Sequence, residues 1–240
     1  MGKDKLRKFT EFRQFNNTFD FPYEFKGKWK KEVFQNEHPL ILELGCGKGE
    51  YTIALGREFT DKNFIGIDIK SNRMWKGAGI AGEEAIPNIR FVRLIIDRIP
   101  EFFEKGEVDE IWITFPDPYP KTRHAKHRLV HPRFLRLYRE ILKDGGIIHL
   151  KTDDDQLFDF TLEMFDKTGI QPELTDQNVH TNPEAHPHLK NIRTYYENLF
   201  MQRGRTIKYA RFSLERYDDK RARDWEEVLK RNRHPGVLHP

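Results

Sequence analysis

Between Pro39 and Asp155 the chain alternates short apolar runs with longer stretches of helical spacing. Leu40-Ile41-Leu42-Glu43-Leu44 is almost wholly apolar and ends in Gly45-Cys46-Gly47-Lys48-Gly49, the pattern of a buried parallel strand that stops at a glycine turn. A helical pattern with Ile53, Ala54 and Leu55 follows it. Asn63–Asp68 predicts a second strand, and Ser71 can cap a second helix. Residues 89–92 and 109–113 predict a third and a fourth strand. Pro132 suits the first position of a helix. Phe134, Leu135, Tyr138, Ile141 and Leu142 give that helix an apolar stripe, and Gly145-Gly146 ends it. Residues 147–150 predict a fifth strand. Asp153 to Asp155 offer caps for a helix that turns Phe158, Leu162 and Phe165 inward. Strand alternating with helix in this order means an α/β fold with a doubly wound, mostly parallel sheet.

The flanks read differently. Residues 1–37 carry Phe9, Phe12, Phe15, Phe19, Phe21 and Phe25 among lysines and arginines. They predict an N-terminal arm whose phenylalanines pack on the domain and whose charges are open to nucleic acid. The main domain is expected over residues 38–214. Within it Pro172, Pro183 and Pro187 break residues 172–190 into a loop, and Thr206 to Leu214 form a late strand. Residues 215–240 are a charged tail in which Trp225, Val228 and Leu229 mark one short amphipathic helix.

Composition narrows the class. A chain of 240 residues with 37% hydrophobic residues is globular and long enough to bury a real core. Its charged share of 33% exceeds the ordinary value of about 25%, which points to a solvated surface or a charged partner. The formal net charge of +4 decides nothing by itself; where the charges sit matters more. One cysteine, Cys46, excludes an intramolecular disulfide and fits a reducing compartment. Met1 to Arg13 is basic without an apolar core, unlike a signal peptide. No run approaches the roughly 18 apolar residues of a membrane span. These features lead us to expect a soluble, cytoplasmic protein without a membrane partner.

The glycine turn carries the first chemistry. A strand that ends in an acid and three alternating glycines brings bare backbone to the carboxyl end of the sheet, where open α/β folds bind ligands. The dinucleotide fingerprint is G-x-G-x-x-G; here the spacing is G-x-G-x-G and Glu50 follows. An acid at Glu43 would repel a pyrophosphate and suit a cationic ligand. Asp68, roughly twenty residues beyond the glycines, sits where an acid binds ribose hydroxyls. Asp97, after the third strand, can hold an adenine amino group. Cys46 reads as small loop filler, since nothing nearby would activate its thiol. Acid plus glycines resemble the first motif of the class I S-adenosylmethionine-dependent methyltransferases.

After the fourth strand comes Phe115-Pro116-Asp117-Pro118-Tyr119-Pro120-Lys121, a proline-stiffened loop with one central carboxylate. A rigid loop is a way to hold a base. Arg123-His124-Ala125-Lys126-His127-Arg128 follows, continuing to His131 and Arg133, with no acid between Asp117 and Glu140. Such a run is usually a solvated face, but beside a ligand mouth it would draw in a phosphate backbone. Its cationic neighbours disfavour a metal at His124, His127 and His131, so no metal is expected.

Together these segments resemble the tRNA (guanine-N7-)-methyltransferase family. Its hallmark after the fourth strand is F-P-D-P-W-x-K-x-R-H-x-K-R-R; this chain has Tyr119 where tryptophan is frequent and His127 where arginine is frequent. The family's A-T-D motif corresponds to Lys151-Thr152-Asp153, and its T-x-[FY]-E motif to Thr194-Tyr195-Tyr196-Glu197. The resemblance covers roughly residues 38 to 212. It implies a Rossmann-like class I methyltransferase fold with a late antiparallel strand, S-adenosylmethionine as cofactor and tRNA as partner. By this resemblance Glu43, Gly45, Gly47, Gly49, Asp68, Asp97 and Asp117 would contact the methyl donor. Lys121, Asp153, Thr194, Tyr195, Tyr196 and Glu197 would bind the guanosine. Arg123, His124, Lys126, His127 and Arg128 would touch RNA, and Asp117 would be the active-site residue. The family analogy supplies a guanine in the variable loop, while monomer and homodimer both stay open.

Guanine N7 already bears an in-plane lone pair, so no proton has to be removed first. Catalysis would then be alignment plus electrostatics, with Asp117 and Asp153 stabilising the purine as it becomes cationic. Three other readings stand beside this one. An amino methyltransferase of the N6-adenine type would carry [DN]-P-P-[YFW], and Asp117-Pro118-Tyr119 lacks its second proline. A non-catalytic RNA-binding module would not need the acid-glycine loop. A small-molecule methyltransferase would not need the basic run.

Overall fold

Leu40–Leu44 and Asn63–Asp68 are buried at every position, as strands covered on both faces must be. The computed structural model describes residues 2–231. Its strands are β1 (Thr18–Asp20), β2 (Leu40–Leu44), β3 (Asn63–Asp68), β4 (Ile89–Arg93), β5 (Val108–Thr114), β6 (Leu142–Thr152), β7 (Leu174–Asp176) and β8 (Lys208–Ser213). Its helices are α1 (Lys3–Phe12), α2 (Glu50–Glu58), α3 (Ser71–Glu83), α4 (Pro132–Arg139), α5 (Asp155–Thr168), α6 (Pro187–Asn191), α7 (Tyr195–Gln202) and α8 (Asp219–Arg231).

The strands form one sheet in the order β1-β4-β3-β2-β5-β6-β8-β7. From β1 to β6 every pairing is parallel. β8 runs antiparallel to β6 and to β7. The chain leaves β2 to lay β3 and β4 on one side, then returns to lay β5 and β6 on the other. That reversal falls at the carboxyl ends of β2 and β5, where open α/β sheets bind ligands. The fold is therefore the α/β, doubly wound, mostly parallel sheet with a late antiparallel strand that the sequence predicts.

Apolar side chains cover both faces. Leu40, Leu42 and Leu44 join a core with α4, α5 and α8, whereas Ile41 joins one with α1, α2 and α3. Each such fully buried aliphatic or aromatic side chain contributes about 1.5–3 kcal/mol. Pro132 is the first residue of α4, capped by His131, whose Nδ1 accepts from Arg133 N. Asp154 caps α5 by accepting from Leu157 N at 2.8 Å.

The structure departs from the sequence reading in five places. First, residues 1–37 pack phenylalanines on the domain as expected, Phe12 among them, but they also add Thr18–Asp20 as an edge strand on β4 and bury Trp29, whose Nε1 donates to Phe102 O. Second, Ser71 does not cap α3; it is the first helical residue, and Asp68 Oδ1 accepts from Lys70 N instead. Third, α4 ends at Arg139, and Gly145-Gly146 lies within β6, which starts at Leu142 and shifts register against β5. Fourth, residues 172–190 contain β7 and the start of α6, because β8 offers β7 an open edge. Fifth, α8 buries Ala222, Trp225 and Leu229 against α4 and α5 but leaves Val228 exposed. At 100° per residue Val228 falls off the face that the other three share. Residues 232–240 of the expected tail lie outside the described residues.

Candidate active site

The glycine turn closes on its own sheet. Gly45 N and Cys46 N both donate to Ile67 O, so the turn is tied to the end of β3. Asp68 accepts from Gly47 N at 3.1 Å with one oxygen and from Lys70 N at 2.8 Å with the other. The last two glycines differ in purpose. Gly49 has φ +73°, and a Cβ there would lie 2.3 Å from the Phe91 ring, so packing demands it. Gly47 has φ +58°, and a Cβ there would point into open space. Its bare backbone thus faces a gap that a ligand can approach closely.

Glu43 lies under this turn. It is buried, and its carboxylate accepts from Thr52 N at 2.8 Å, from Thr52 Oγ1 and from Thr114 Oγ1 at 2.5 Å. Burial pushes its pKa up to about 7 against the pull of these three donors, and the nearby Asp68 adds to the rise. Two acids, Glu43 and Asp68, beside the open backbone face of Gly47 fit a cationic nucleoside. Burial also pushes the Cys46 thiol well above its ordinary range, so it stays protonated, in keeping with a filler.

The proline loop starts where β5 ends. Phe115 N donates to Lys151 O at 2.8 Å, which ties the loop to β6. Phe115 and Tyr119 have φ of +48° and +45°. Two aromatic residues in the left-handed region bracket Asp117, and such strain persists only where surroundings enforce it. Asp117 is exposed at the loop's crest. Arg128 supplies part of the enforcement: its guanidinium donates to Pro118 O and Tyr119 O, both at 3.0 Å, and stacks over Phe160. Arg128 is buried, so its side chain is occupied in shaping the loop rather than offered to a phosphate. Lys121, Arg123, Lys126 and His127 are exposed on and beside a 3-10 turn, Thr122–His127, that is anchored by buried Ala125. The His124 imidazole is held below its ordinary pKa, by desolvation first and by Arg123 and His127 after it.

The third segment crosses over the first. Tyr195 N donates to Glu50 Oε2 at 2.7 Å, and Lys48 Nζ sits 5.2 Å from the Tyr195 ring centroid. Thr194 caps α7 by accepting from Glu197 N at 3.1 Å. Tyr195 and Tyr196 are exposed, whereas Glu197 is fully buried and pairs with Lys151 and His180. Asp153 pairs with Arg205 at 2.5 Å.

The glycine turn, Asp68, the Asp117 loop, Asp153 and the Thr194–Glu197 segment therefore meet at the carboxyl end of the sheet. Asp97 is half-exposed and paired with Arg133, the first residue but one of α4. The sequence pattern gives no role to Thr52, Thr114, His180 and Arg205, and it names Glu50 and Lys151 only as neighbours of the glycine turn and of Asp153. Thr114, a polar residue closing an apolar strand, and Lys151, inside the Lys151-Thr152-Asp153 motif, are the ones with a visible signal. Among the described residues no cluster of metal-ligating side chains occurs, and no helix is long and apolar enough to cross a membrane.

Comparisons with known proteins agree on the class. A family model described as "Putative methyltransferase" matches residues 37–210. A 16S rRNA methyltransferase crystal structure superposes with a TM-score of 0.59 at 14% identity, covering 78% of this chain and 93% of that one. The tRNA (guanine-N(7)-)-methyltransferase of Christiangramia forsetii is 43% identical over 221 residues, which span 89% of this chain and 99% of the relative. That of Bacteroides fragilis is 42% identical over 237 residues, covering 95% and 93%. With the acid-glycine turn, the Asp117 loop and the Thr194–Glu197 segment gathered at one rim, this chain belongs to the tRNA (guanine-N(7)-)-methyltransferase family and uses S-adenosylmethionine.

Proposed function

We propose that this chain methylates N7 of a guanine in the variable loop of tRNA, in the cytoplasm. The observation that carries this reading is the meeting of three segments at one rim: the cation-favouring turn around Glu43, the strained loop around Asp117 and the capped start of α7 at Thr194. S-adenosylmethionine, when bound, supplies a methyl group already activated on a sulfonium. Glu43, the backbone of Gly45 to Gly49 and Asp68 would hold it, with Asp68 on the ribose. Asp97 is kept for the adenine only if Arg133 gives it up.

Guanine N7 has a free lone pair, so the chain need not supply a base to expose it. The residues must align the purine and stabilise the positive charge that grows on it. Asp117 is suited to this, being exposed on a loop that Arg128 and the tie between Phe115 and Lys151 hold in place. Asp153 and the Thr194–Glu197 segment would fix the guanosine, and Lys121 would meet its phosphate. Arg123, Lys126 and His127 would track the RNA backbone, and Arg128 would act through the loop it shapes.

The test is incubation of the protein with labelled S-adenosylmethionine and unmodified tRNA transcript, followed by nucleoside analysis. A 7-methylguanosine peak that disappears when the variable-loop guanine is replaced supports the reading. N6-methyladenosine, or transfer only to small molecules, would overturn it.

A further inference from the structure

Lys151 is fully buried, a state lysine almost never adopts unless paired. All three of its ammonium hydrogens have acceptors: Leu189 O at 2.8 Å, Ile192 O at 3.2 Å and Glu197 Oε2 at 2.9 Å. The rings of Tyr51 and Phe115 lie over it. These acceptors belong to the end of α6, the turn after it and the first turn of α7. One side chain thus gathers the whole segment that leads into Thr194. The main chain of the same residue accepts from Phe115 N and so holds the start of the Asp117 loop. Glu197 in turn takes His180 Nε2 at 2.9 Å, which draws in the chain before α6.

Fold stability alone gives little reason for such an arrangement. A buried ion pair replaced by apolar groups of similar volume is frequently neutral or more stable. What the pair does give is a fixed distance between two loops. We propose that Lys151 is a positioning residue for the tRNA reaction: it sets the Thr194–Glu197 segment against the Asp117 loop, without touching guanosine or cofactor itself. The proposal rests on the reading of that segment as the guanosine site.

The test compares Lys151→Met with wild type. Leu189 and Ile192 would lose their anchor, so trypsin under native conditions should cut after Lys190 and Arg193 while the sheet core resists. kcat/KM for tRNA should fall about a hundredfold, the scale of a misplacement near 1 Å, while S-adenosylmethionine binding falls far less, since Lys151 hydrogen-bonds neither Glu43 nor the glycine turn. Because Met leaves buried Glu197 with His180 as its remaining side-chain partner and the variant could fail to fold, Lys151→Gln is measured beside it. Its amide still donates to carbonyls, and it should show the same selective cleavage to a smaller degree. Unchanged kcat/KM in a folded variant overturns the proposal. So does cleavage throughout the chain with cofactor binding lost in both variants, which would make Lys151 a core residue only. A wild-type protein that binds S-adenosylmethionine but methylates no tRNA sinks the functional reading, and the proposal with it; the protease pattern then shows separately whether Lys151 anchors the segment.

Discussion

Thr114 Oγ1 donates to Glu43 Oε1 at 2.5 Å across the boundary between β2 and β5. The bond joins the strand that ends in the glycine turn to the strand that ends in the Asp117 loop. It therefore crosses the point where the sheet reverses its winding, and it ties the base of the glycine turn to the base of the Asp117 loop.

The raised pKa of Glu43, about 7, predicts a pH dependence with a definite sign. In the unfolded chain this carboxyl ionises near its ordinary 4.5. Between those values the folded state holds the proton more tightly, so stability should fall as pH rises from about 4.5 to 7, by up to about 3 kcal/mol. Glu43→Gln should lack this component. A cationic cofactor favours the ionised form, so affinity for S-adenosylmethionine should rise with pH through about 7 in wild type and stay flat in the variant. Parallel melting-temperature curves for the two proteins from pH 4.5 to 7.5 would refute the assignment.

Asp117→Asn and Asp117→Ala test the charge on the loop crest. If the carboxylate stabilises the developing purine cation, kcat should drop by about a hundredfold, the scale of losing one well-placed electrostatic group. Binding of S-adenosylmethionine should change far less. A loss confined to cofactor affinity, measured by equilibrium titration, would reassign Asp117 to holding the donor.

The sequence made some of this legible and hid the rest for physical reasons. β2, β3, β4 and β5 stand out because both faces of each are largely covered, which leaves runs that are mostly apolar, broken at Glu43 in β2 and Arg90 in β4. β1 does not, since Thr18-Phe19-Asp20 is too short for a period and depends on a partner some seventy residues away. Gly145-Gly146 is a sound helix stop in isolation; only the pairing of Val108 with Leu142 shows that the strand has already begun. Charge runs are the hardest to read, because composition does not show which way a side chain turns. Arg128 looks like its basic neighbours in the sequence yet points inward to Pro118 and Tyr119. Lys151 looks like an ordinary exposed strand residue next to Thr152, and only tertiary packing reveals three acceptors around it.

Thr194→Ala tests the capping of α7. The substitution removes the acceptor for Glu197 N, which costs about 1 kcal/mol at an N-cap. For a chain of this size the melting temperature should drop about 2–4 °C. Thr194→Ser keeps the hydroxyl and should restore most of it. An unchanged melting temperature in Thr194→Ala would mean that the cap contributes nothing, and that the threonine matters only through substrate.

The exposed and buried members of the basic run should separate in a salt titration of tRNA binding. Arg123 and Lys126 are exposed, and each one that meets a phosphate releases counterions, so affinity falls with salt on a logarithmic slope of about 0.7–0.9 per contact. Arg123→Ala and Lys126→Ala should each weaken binding and flatten that slope by about one contact. Arg128→Ala should behave otherwise. It removes the donors that hold the carbonyls of Pro118 and Tyr119 and the stacking over Phe160. Its loss should relax the loop, lower kcat and reduce thermal stability, while the salt slope stays that of the wild type. A slope flattened equally by all three variants would show that Arg128 turns outward to RNA in the complex, and that the loop is held by something else.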